Sequence, residues 1–239
     1  GATGPLQVED YRPILPLTHH FVEAAQQAGH EFKDDLNDYD REGVGYSQMS
    51  RIGRRCGSTG QTYLAYIENK DNIEVVTEAL ATKLIFEGKR CVGVAYDQGG
   101  DMKEVRATHE IILSGGSVNS PHLLHISGIG PAAHLKSIGI EVQHDLPGVG
   151  ANLSDHYCCR ISHRAKNAVS INEMSRGLRL MWEGLRFVLE GRGALTFGVS
   201  SAQVFTKSRE GLESPDIQLL FSPASYDESK FGALERKPG

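Results

Sequence analysis

Ile111-Ile112-Leu113-Ser114-Gly115-Gly116-Ser117-Val118-Asn119-Ser120-Pro121-His122-Leu123-Leu124-His125-Ile126-Ser127-Gly128 is the most informative stretch of this 239-residue chain. Ile111–Leu113 is apolar without alternation, the pattern of a strand covered on both faces, as in a parallel sheet. Ser114-Gly115-Gly116-Ser117 reads as a tight turn. Ser120 then reads as a helix cap, with Pro121 at the first helical position, where a missing N–H costs nothing. Leu123, Leu124 and Ile126 give the helix apolar positions, and Gly128 stops it. Strand, glycine turn and capped helix together present free backbone N–H groups and a positive helix end to an anion or a ribose. A second short helix is expected from Pro131 to Gly139.

Upstream, short strands are expected at Ile73-Glu74-Val75-Val76, around Leu84-Ile85-Phe86, and over Cys91-Val92-Gly93-Val94-Ala95-Tyr96. Gln98-Gly99-Gly100-Asp101 marks a turn, with Lys103 to Arg106 pairing back across it. Gly1 to about Tyr11 reads as a loop. A helix follows in which Thr18 caps, Phe21, Ala24, Ala25 and Ala28 recur at helical spacing, and Gly29 ends the run. Glu31 to Gly60 is polar and glycine-rich and reads as one long loop, a length usually reserved for function or for burial under a larger structure. Downstream, a helix is expected from about Glu173 to Glu190. Its apolar stripe of Leu178, Met181, Trp182, Leu185 and Leu189 belongs in the core, and Gly191 ends it. Ala202 to Thr206 and Ile217 to Phe221 read as strands.

Lys plus Arg total 25 against 30 for Asp plus Glu, a net charge of -5, so no polyanion partner such as nucleic acid is expected. No apolar run approaches the roughly 20 residues that span a bilayer, so no transmembrane segment is expected. Gly1-Ala2-Thr3-Gly4-Pro5 lacks the basic and apolar regions of a signal peptide. Cys56, Cys91, Cys158 and Cys159 contain no CxxC pair, so no metal site is expected. They read as buried thiols in a reduced, cytoplasmic protein.

From Ser114 to Pro131 the chain resembles the second signature of the glucose-methanol-choline (GMC) oxidoreductases, FAD-dependent enzymes that oxidise alcohols. The likeness continues through Leu135, Gly139-Ile140, Asp145-Leu146-Pro147-Gly148-Val149-Gly150 and Asn152-Leu153 to Asp155-His156. Gly4-Pro5-Leu6 and Phe86-Glu87-Gly88-Lys89-Arg90-Cys91-Val92-Gly93-Val94 carry it upstream. The nearest branch is choline-dehydrogenase-like. The resemblance implies an α/β chain, α+β in parts: a partial doubly wound FAD-binding domain plus part of an antiparallel-sheet substrate domain. Residues 1–70 are then a loop-rich segment with one helix shared between the two, 71–150 part of the FAD-binding domain, and 151–239 part of the substrate-binding domain.

It also implies cofactor contacts. Ala81 aligns with the residue whose backbone hydrogen-bonds the adenine edge. Ser114, Gly115 and Gly116 align with the turn under the adenosine, where glycine lets the backbone approach a ligand closely; packing of strand against helix would demand the same glycines. Asn119 is a further cofactor contact or a turn residue. His156 is placed close to the cofactor rather than as the base. Other histidines, His19, His20 and His163 among them, read as solvated or structural.

Departures from the pattern bear on function. The family's GxGxxG unit is absent; Gly128-Ile129-Gly130-Pro131-Ala132-Ala133 mimics its spacing but follows a helix. The family's terminal His followed by His or Asn is also absent, so no catalytic residue is assigned. Arg55-Cys56-Gly57-Ser58-Thr59-Gly60-Gln61-Thr62-Tyr63-Leu64 lacks the alanines usual before Tyr-Leu. The chain therefore reads as an internal fragment of an enzyme that moves a hydride from a choline-like or other primary alcohol to flavin N5. Alternatives are a hydroxynitrile lyase of the same family with structural FAD, or a cofactor-free fragment that forms a homo-oligomer or swapped assembly through open sheet edges. For the isolated chain, expected to be inactive, the last is favoured.

Overall fold

The computed structural model describes residues 4–236 apart from 11, 13, 54, 68–70, 199, 228, 231 and 232. It divides into two compact units, one formed by Gly1–Lys70 with Arg160–Gly239 and the other by Asp71–Cys159. Helices combine with antiparallel sheets in both, and parallel pairing among the described residues is confined to one two-residue ladder and an isolated bridge.

In the first unit, β1 (Val8–Asp10), β3 (Gln48–Ile52) and β4 (Arg55–Cys56) form one antiparallel sheet. β2 (Gly43–Tyr46), β10 (Ala202–Thr206) and β11 (Ile217–Phe221) form another in the order β11-β10-β2. Helix α1 (Pro16–Gln27) lays Val22 and Ala25 on Val44, Ala202 and Val204, with Phe21 stacked on Phe221 at 4.4 Å. Pro16, not Thr18, opens the helix; Thr18 lies inside it, fully buried, with its hydroxyl 2.8 Å from that of Ser201.

Three strands occupy the 31–60 segment read as a loop, and the glycines that suggested a loop have another cause. Residues 31–33 cross β2 so closely that Lys33 N–H donates to Val44 O and Val44 N–H to Glu31 O, both at 2.8 Å. A Cβ at Gly43 would collide with Glu31 O, and one at Gly45 would lie 2.5 Å from Lys33 O. The expected loop over 1–11 holds β1, and residues 1–3 and 11 lie outside the described residues.

The helix expected over 173–190 is two helices, α5 (Ile171–Met174) and α6 (Gly177–Glu190). Ser170 caps α5: its hydroxyl accepts from Asn172 N–H, while Glu173 accepts from Ser170 N–H at 2.7 Å. Gly191, at φ 68°, closes α6. The apolar stripe of α6 is not core. Leu178 is 83% exposed, Trp182 60%, and Met181, Leu185 and Leu189 are exposed with them. The buried residue of α6 is Glu183, which accepts from Ala194 N–H at 2.8 Å and pairs with Arg186 at 3.3 Å. Glu183 thus faces inward on α6, and the apolar stripe faces solvent.

In the second unit, β5 (Ala79–Glu87), β6 (Arg90–Gln98) and β7 (Asp101–Arg106) form the expected meander. Gly99 and Gly100 supply the two positive φ angles, 68° and 96°, that its second hairpin turn needs. Helix α3 (Gly116–Ile126), β8 (Ile129–Gly130), α4 (Ala132–Ser137) and β9 (His144–Asp145) follow, with Leu135 fully buried among them. Ser127 joins the two parts: its hydroxyl accepts from Leu84 N–H on β5 at 2.9 Å.

Three expectations for this unit fail. Ile73–Val76 and Ile111–Leu113 form no strand, because no described strand lies beside either to complete its hydrogen bonds; Ile112 is exposed. Ser120 is not a cap. The helix already begins at Gly116, so Pro121 sits inside it and the Ser117 carbonyl loses its usual donor. Third, Cys158 and Cys159 are exposed on a stretch without regular structure and Cys56, in the first unit, on two-residue β4, while Cys91 is half-buried; all four are free.

Candidate functional site

Ala81 lies on β5 opposite Tyr96 and is exposed, where a bulge shifts the register between Ala81 and Lys83. Thr82 occupies the bulge and donates its hydroxyl to Ala95 O at 3.2 Å. Ser114, Gly115 and Gly116 form the entry to α3 and are exposed; Asn119 is exposed in the next turn. The two glycines have different reasons. A Cβ at Gly115 would press on Asn119 Cβ and Ser120 N, both at 3.2 Å, so α3 itself demands that glycine. Gly116 has a φ of 84° and open space where a Cβ would stand, leaving the turn approachable by a ligand.

An open groove of about 490 Å³ lies along α3. One wall is Ser117, Val118, Pro121, His122 and His125, a single helical face; the other is Gly150 to Ser154. None of Ala81, Ser114, Gly115, Gly116 or Asn119 lines it, Asn119 lying off that face of the helix. The α3 wall is what sequence reasoning missed: the 117, 118, 121, 122, 125 spacing is legible only once the helix is known to start at Gly116. Asn152, at φ 58°, turns the second wall. His156 follows on an exposed stretch without regular structure, its N–H held by Asp155 at 2.7 Å.

The Gly128-x-Gly130 spacing offers no phosphate cradle. A Cβ at Gly128 would lie 2.5 Å from Glu141 O, and one at Gly130 would lie 2.5 Å from His125 Cδ2, so the chain itself fills both spaces. A second groove, of about 450 Å³ in the first unit, is lined by Gly4, Pro5, Gln7, Ile52, Gln61, Thr62, Ala65 and Tyr66. Gln61 and Thr62 belong to one wide π-helical turn, Gly60–Leu64, where the alanines usual before Tyr-Leu are missing. Among the described residues no group of three or more His, Cys, Asp and Glu could hold a metal, and no helix is long and apolar enough to cross a membrane.

A family model described as GMC oxidoreductase matches residues 1–158. Among curated proteins, the chain is 36% identical over 229 residues to an alcohol dehydrogenase [acceptor] of Pseudomonas putida, covering 93% of this chain and 41% of that protein. It is 37% identical to human mitochondrial choline dehydrogenase, over 94% of this chain and 38% of that one. It is 40% identical to an oxygen-dependent choline dehydrogenase of Brucella canis, over 95% and 42% respectively. The chain thus spans about two fifths of the length of the curated relatives it matches. Among solved structures, an FAD-dependent oxidoreductase from Chaetomium thermophilum superposes with a TM-score of 0.75 at 23% identity, covering 86% of this chain and 37% of that one. A formate oxidase does so with a TM-score of 0.74 at 23% identity, covering 86% and 36%. Both likenesses concern the fold.

Proposed function

The chain belongs to the GMC oxidoreductases, and from that premise we propose that it is part of an FAD-dependent enzyme oxidising a small alcohol, choline-like or another primary alcohol. The observation that carries the reading is the family match over residues 1–158, together with 36–40% identity to choline and alcohol dehydrogenases along nearly the whole chain. Those relatives favour oxidation over cyanohydrin cleavage. FAD, when bound, supplies the hydride acceptor, flavin N5.

This chain's share of the work is to hold the adenosine end. The turn at Ser114-Gly115-Gly116, open at Gly116, would receive the ribose, and Ala81, exposed on β5, would meet the adenine edge. Asn119 adds an amide at the same end of α3. The diphosphate is not held by Gly128 to Gly130, whose free space is taken. No proton acceptor is assigned among these residues, so the chain by itself is expected to bind without turning over.

Titrating FAD with the chain, following flavin fluorescence and competing with AMP, tests the reading. Saturable binding displaced by AMP supports it. No binding up to about 1 mM, a free energy weaker than about 4 kcal/mol, refutes it.

A further inference from the structure

We infer that His125 is a positioning residue that ties the two walls of the α3 groove together and so fixes its width. This rests on the reading of the second unit as cofactor-facing. His125 is the last α3 residue of the groove, at the end of the face formed by Ser117, Val118, Pro121 and His122. Its Nε2 lies 3.0 Å from Val149 O, one residue before the opposite wall begins at Gly150. A carbonyl can only accept, so Nε2–H is the donor in this bond.

The backbone makes room for this ring and for little else. A Cβ at Gly130 would lie 2.5 Å from His125 Cδ2 and 2.8 Å from Nε2, and a Cβ at Gly150 2.9 Å from Cε1. The imidazole is therefore clamped between two backbones without side chains, one on β8 and one on the groove wall. Val149 N–H donates to Leu146 O at 3.1 Å and Ala151 N–H to Gly148 O at 3.3 Å, so the carbonyl that His125 holds belongs to a closed turn. Fixing that turn fixes the direction in which Gly150 to Ser154 leave it. Two glycines of the family-like segment thus answer to one histidine.

The test compares His125→Met with His125→Gln, which match in length and differ in whether the end of the side chain can donate to Val149 O. Amide hydrogen exchange is read at Val149 and Ala151. Met is expected to speed exchange of the turn about tenfold, while Gln, which restores a donor, stays within about twofold of the natural protein. Equal loosening by Met and Gln overturns the positioning role, as does unchanged exchange in Met.

Discussion

Replacing Asn172 by Ala should be among the most damaging single changes in the first unit. Its side chain is fully buried and works in both directions. Oδ1 accepts from Ser225 N–H at 3.0 Å, and Nδ2 donates to Ser225 O at 2.9 Å, Ser225 Oγ at 3.1 Å and Glu235 O at 3.1 Å. These bonds fasten α5 to the 225–235 segment. The acceptors are not equally dependent on it: Ser225 O also receives Glu235 N–H at 3.0 Å, and Glu235 O also receives the Arg176 guanidinium. Ser225 N–H has no second acceptor among the hydrogen bonds described. One orphaned amide costs about 1–3 kcal/mol, and the surrendered donor bonds about 1 kcal/mol more. The total is roughly 2–4 kcal/mol, a midpoint shift of about 1 M urea at a slope near 2.5 kcal/mol/M. Ser225→Ala removes only the shared hydroxyl and should cost about 0.5 kcal/mol. Urea titrations followed by far-UV circular dichroism give both numbers. A cost below about 1 kcal/mol for Asn172→Ala, or parity between the two variants, would refute the account.

Two further outcomes follow from the geometry. Burial pushes the Glu173 carboxyl up, but the Ser170 hydroxyl and backbone N–H donors outweigh it, and the group is held below the usual carboxylate range. A depressed folded pKa means stability that is present above the unfolded value and lost as pH falls through the folded one. Glu173→Gln should therefore cost about 1 kcal/mol at pH 7, and the gap should close below about pH 4 in urea titrations across pH. Gly93 stands on central strand β6, where a Cβ would lie 2.7 Å from Val105 O, so Gly93→Ala should cost about 1–3 kcal/mol and lower the melting temperature of the Asp71–Cys159 unit.

Where a local signal was enough, the sequence was readable. The Gly99-Gly100 turn dictates its hairpin, Pro131 and Gly139 bracket α4, and Gly191 ends α6. Readings failed where a distant partner decides. β2 exists because β10, some 160 residues away, pairs with it, and its glycines are shaped by the crossing of residues 31–33. Ile111–Leu113 has the composition of a covered strand but no described neighbour. Pro121 has the composition of a helix start, whereas α3 already begins five residues earlier, at the glycine turn. The candidate site divides in the same way: the Ser114–Gly116 turn is visible as a motif, while the α3 groove and the His125 contact depend on a fold-back from residues 148–154 that no spacing announces.

The inverted helix α6 also decides what light can report about this molecule. Trp182 is the sole indole of the chain and it already faces solvent in the folded state. Its emission should sit near that of a free indole before denaturant is added and change little on unfolding. A shift toward the blue would instead register any surface that comes to shield the helix, which makes this side chain a built-in optical gauge of coverage rather than of folding.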